Sequence, residues 1–84
     1  MTSPLLYPIA TEKAINMIEK NNVITYVVDL RSKRDEVKKE FEKLFKVKVD
    51  KVNVEIEARN RKRAYIKLNK AFKASDIALK LKLV

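Results

Sequence analysis

The segment Val23 to Leu30 constrains the fold more than any other part of this chain. Val23, Ile24, Thr25, Tyr26, Val27 and Val28 make it β-branched or aromatic at nearly every position, the composition of a strand. A strand with one wet face alternates apolar and polar residues. This one is apolar on both parities, which predicts a central strand covered on both sides. The rest of the chain must therefore supply partner strands and helices for two faces.

The flanking patterns supply them. Leu5 to Ile9, with Pro4 and Pro8, reads as an edge strand or extended arm, residues 1–9 in all. Thr11 offers an N-cap hydroxyl to a helix whose stripe is Ala14, Ile15 and Ile18 and which ends near Asn21. Ser32 and Asp35 resemble a capping box ahead of a second helix, with Val37, Phe41, Leu44 and Phe45 on one face. Val47 and Val49 share one parity, while Val52, Val54, Ile56 and Ala58 share the other. Side chains alternate strictly along a strand, so this change requires a bulge near Asp50-Lys51. Ala64, Ile66 and Leu68 continue the apolar face on a further strand, with Arg63, Tyr65 and Lys67 opposite. Ser75 is read as the cap of a short last helix, Ser75 to Leu83, bearing Ile77, Ala78 and Leu81. The expectation is an α+β fold with a mostly antiparallel sheet, one small domain over residues 1–84.

Between the last two strands lies the run Arg59-Asn60-Arg61-Lys62-Arg63, a basic hairpin tip over residues 59–63. Between Glu57 and Asp76 there is no acidic residue but seven Lys or Arg, and the whole chain carries a formal charge of +9. Charged residues collect in turns, so a solvated turn explains part of this. Charge of this size on so small a body points to a polyanion. A membrane fits less well, because no apolar run approaches the roughly 20 residues of a spanning helix. The first nine residues lack the basic region and apolar stretch of a secretion signal.

Catalysis is poorly supported. There is no His and no Cys, which removes the usual general base and thiolate metal ligands, and no glycine loop for phosphates. The acidic residues are dispersed over different elements, so neither a metal site nor a cofactor is expected. The absence of glycine also leaves Asn21, Asn22, Asn60 and Asn69 as the residues best able to take a positive φ.

Among nucleic-acid binders, Arg63-Ala64-Tyr65-Ile66-Lys67-Leu68 echoes the RNP1 pattern of the RNA-recognition motif, with Lys67 where a second aromatic should stand. Few aromatics remain outside the expected core, which favours phosphate-dominated docking on folded RNA over base reading. Arg59, Arg61, Lys62 and Arg63 are then the phosphate contacts. A free-standing single-stranded RNA-binding module remains the alternative.

Three stretches, in order and in register, resemble the large-subunit ribosomal protein L twenty-three family. They are Tyr7 to Ala14, then Lys43 to Val49 with Val52-Asn53, and finally Arg63 to Leu68. The short hairpin resembles the archaeal form. The resemblance implies a three-layer α/β/α fold around a four-stranded sheet. It also implies a structural, non-enzymatic role in the cytoplasmic ribosome and binding to large-subunit rRNA near the peptide exit tunnel. The rRNA contacts are then Lys13, Tyr65, Lys67 and Lys70 together with the hairpin. Partners implied are neighbouring ribosomal proteins, and signal recognition particle and the protein-conducting channel at the exit site, with no small-molecule substrate and no membrane insertion. Factor docking falls on Glu12, beside Thr11; Glu12 is equally explained as a first-turn carboxylate favoured by the helix dipole. Family members often have Gly where Lys46 stands and Thr where Val54 stands.

Overall fold

A computed structural model describes residues 4–57 and 60–82. The elements run β1 (Leu5–Pro8), α1 (Glu12–Asn21), β2 (Val23–Val28), α2 (Arg34–Phe45), β3 (Val49–Glu57), β4 (Arg61–Leu68) and α3 (Ala74–Lys80). The strands form one four-stranded sheet of order β1-β2-β4-β3, and every neighbouring pair is antiparallel. All six residues of β2 are buried, as its two apolar parities require.

The two faces of β2 have different covers. Ile24, Tyr26 and Val28 join Ala64, Ile66 and Leu68 of β4 in the main core beneath α2 and α3. There the edge of the Tyr26 ring meets Phe41 of α2, with centroids 6.1 Å apart. On the other face, Val27 packs with Ile9 and with Ala14 of α1. The fold is therefore α+β in three layers, with α1 on one side and α2 and α3 on the other. Because α1 lies over β2, the outward residues of β4 and β3 on that side are left uncovered by a helix.

The bulge in β3 falls where the change of parity demands it, with a register shift between Val49 and Lys51. The irregular backbone is held from α2, where Glu42 Oε2 accepts the Val49 N–H at 2.9 Å.

Several sequence expectations need correction. Ser32 does not cap α2: its hydroxyl donates to Asp29 O at 2.5 Å, and Lys33 occupies the N-cap without a side-chain bond. The reason is local, since Asp29 and Ser32 close a turn of their own before the helix starts. Leu44 is 56% exposed; the buried stripe runs through Val37 and Phe41 to Phe45, and Leu44 falls on its flank. Ile56 is 68% exposed because it pairs with Lys62, which itself pairs with Val28, the last residue of β2. The hairpin outruns its cover there. Ser75 is not a cap either: α3 begins at Ala74 with Lys73 as N-cap.

Positive φ falls on Asn22, Asn60, Lys46 and Lys82. Asn22 and Asn60 are two of the four asparagines expected to take this role. Lys46 is the C-cap of α2, at φ 55 and ψ 46, the position where Gly is normally placed.

Candidate nucleic-acid interface

The uncovered part of the sheet carries the outward residues of β4, namely Arg61, Arg63, Tyr65 and Lys67. On β3 the same face carries Lys51, Asn53, Glu55 and Glu57. The registers Lys51↔Lys67, Asn53↔Tyr65, Glu55↔Arg63 and Glu57↔Arg61 place them side by side. Helix α1 forms one bank of a cleft of about 520 Å³ here, through Lys13 and Met17, and the strands form the other. Lys13, Lys51 and Lys67 line it with Glu55 as its acidic member, together with the polar groups of Asn53 and Tyr65. Three cations against one carboxylate leave the cleft positive. Thr11 holds the bank in place, because its Oγ accepts the Ala14 N–H at 3.2 Å and fixes the start of α1.

Toward the tip the same face is partly self-neutralised. Arg61 Nε donates to Glu57 Oε2 at 3.1 Å, and a guanidinium nitrogen of Arg61 reaches the Tyr7 hydroxyl at 3.4 Å. Arg63 pairs with the other oxygen of the same carboxylate. The bond to Glu57, with its negative charge, raises the Arg61 pKa further above its already high ordinary value. A phosphate approaching these arginines competes with Glu57.

The residues named from the sequence thus divide. Lys13, Arg61, Arg63, Tyr65 and Lys67 share one face. Lys62 does not: it points to the opposite side of the sheet and donates from Nζ to Ser32 O at 2.5 Å. One-residue alternation makes this unavoidable for a residue between Arg61 and Arg63. Lys70 is exposed in the turn after β4, at the far end of that strand from the tip. Arg59 lies outside the described residues. Glu12 is exposed in the first turn of α1, and no ion pair among the described residues involves it. Lys51 and Asn53 were missed, although their outward parity past the bulge was legible. What the sequence lacked was the position of α1, which turns an outward-facing strand into the wall of a cleft.

Nothing in this arrangement resembles a reaction centre, and no group of acidic side chains able to hold a metal ion occurs among the described residues. A match to the family described as Ribosomal protein L23 covers residues 3–81. The chain belongs to this family. It is 46% identical over 77 residues to a protein of the archaeon Methanothermobacter thermautotrophicus named Large ribosomal subunit protein uL23, covering 92% of this chain and 90% of that one. It is also 45% identical over 78 residues to the protein of that name from Trypanosoma brucei brucei, covering 93% of this chain but 48% of the longer relative. Members of this family are structural proteins of the large ribosomal subunit, not enzymes, and act in translation on the cytoplasmic ribosome. Its neighbours in that particle are ribosomal RNA and other ribosomal proteins.

Proposed function

We propose that this protein is held on large-subunit rRNA near the peptide exit tunnel by the cleft between α1 and the sheet and by the arginines of the hairpin. The observation that carries this reading is that Lys51, Lys67, Arg61 and Arg63 lie on one face of the β3–β4 hairpin and that Lys13 of α1 lines a common cleft with Lys51 and Lys67. Phosphates are the ligands such a face suits, since lysines act as point charges and arginines as forks. Replacing Lys13, Lys51 and Lys67 by Gln should weaken binding to large-subunit rRNA and flatten its dependence on salt. Each lost phosphate contact removes about 0.7–0.9 from the slope. A triple variant with the wild-type slope would refute the assignment.

The exposed first turn of α1, with Glu12, is proposed as part of the surface that receives signal recognition particle and the protein-conducting channel. Family resemblance and the exposure of Glu12 support it; the Thr11 hydroxyl is committed to the cap and contributes position. Glu12→Lys should lower signal-particle binding to ribosomes that otherwise assemble normally. Unchanged binding would remove Glu12 from the docking surface.

A further inference from the structure

The cleft beside α1 has more than phosphate-binding chemistry in it. It is an open cleft of about 520 Å³, roomy enough to seat one nucleotide while leaving it in reach of the rest of a chain. A purely electrostatic groove for a backbone needs only cations. This one places an aromatic ring, Tyr65, and a thioether, Met17, within the ring of lysines, and adds an amide, Asn53, and a carboxylate, Glu55. Glu55 would be a liability in a site for phosphate alone, because it repels the backbone it faces. Tyr65 is half-buried rather than sequestered in the core, and its hydroxyl lies 3.5 Å from Glu55 Oε2, a contact long enough to be exchanged.

We infer that the cleft captures a single unstacked nucleotide of the rRNA, its base against Tyr65 and its phosphates on Lys13, Lys51 and Lys67. This rests on the rRNA reading above and specifies its ligand. An aromatic face stacks any base, and sulfur is a compatible apolar neighbour for the other side. Glu55 accepts hydrogen bonds only, so it meets a donor on the edge of the base, an exocyclic amino group or a ring imino N–H. Asn53 has both a donor and an acceptor for a second polar edge.

The test uses the full chain bound to deproteinised large-subunit rRNA. Irradiation at short ultraviolet wavelength followed by digestion should leave a single nucleotide remnant on the peptide containing Tyr65. In titrations, Tyr65→Leu should lose about 5- to 150-fold in affinity, the worth of one stacked base, with the salt slope unchanged, while Tyr65→Phe stays close to wild type. No adduct on that peptide, or a Tyr65→Leu variant that binds like wild type, overturns the capture site even where the wild type binds with a steep salt slope. A wild type that shows no salt-dependent binding overturns the rRNA reading itself and the capture site with it.

Discussion

The side-chain carbonyl of Asn22 accepts the backbone N–H of Ala74 at 2.6 Å, across 52 residues of sequence. The amide nitrogen of the same side chain donates to Phe72 O at 2.9 Å and approaches Leu68 O and Asn69 O. Asn22 itself is the left-handed C-cap of α1. One residue therefore ends α1, ties down the turn after β4 and satisfies the first free N–H of α3. This is why α3 needs no Ser75 cap.

Asn22→Ala should cost about 2–4 kcal/mol in urea unfolding, because it strands a helix N–H and several carbonyls at once. Asn22→Asp should be at least as damaging, since it keeps the acceptor but turns a negative charge toward carbonyl oxygens. A small effect of either would mean that the turn and α3 are held by their apolar contacts alone.

Lys46→Gly should stabilise the protein by about 0.5–1 kcal/mol. The left-handed backbone strains any residue with a Cβ, and glycine removes that strain at a modest cost in unfolded-state entropy. Thermal unfolding should shift upward by several degrees.

Glu57→Gln should release Arg61 and Arg63 from the carboxylate they share. Affinity for large-subunit rRNA should rise severalfold at low salt, and the salt slope should steepen. The melting temperature should fall modestly, because the pair at Arg61 is exposed while the pair at Arg63 is largely covered. A fall in affinity would indicate that Glu57 orients the arginines rather than competing for them.

Lys62→Gln should leave the salt slope of rRNA binding unchanged while lowering stability by about 1 kcal/mol, the worth of the bond to Ser32 O. A slope reduced as much as that of Lys67→Gln would return Lys62 to the interface.

Stability should fall at alkaline pH through Tyr26. Burial raises its pKa above the ordinary value of 10. The unfolded chain therefore ionises first, and folding loses ground as pH rises past about 10. Below that both states hold the proton and the effect vanishes. Tyr26→Phe should remove this contribution, seen as a flatter dependence of Tm on pH in the alkaline range.

Much of the fold was written in local pattern. The doubly apolar β2 required cover on both faces, the parity change required a bulge near Asp50-Lys51, and Thr11 marked the start of α1. These are consequences of side-chain period and hydrogen-bond chemistry, which neighbouring residues determine among themselves. The concentration of positive charge and the signatures of the family are likewise local, carried by residue types and short motifs. The remaining features came from long-range packing. Ser32 and Ser75 are capping types in cap-like places, yet a nearer turn and a distant asparagine satisfied the backbone instead. Lys62 looked equal to its neighbours until the sheet assigned it a side. The cleft exists only because α1 packs over β2 and not over β4, so that Lys13 and Met17 face Lys51, Asn53 and Tyr65 across a gap. No local pattern encodes that juxtaposition, because it depends on which apolar surfaces find each other when the whole core closes.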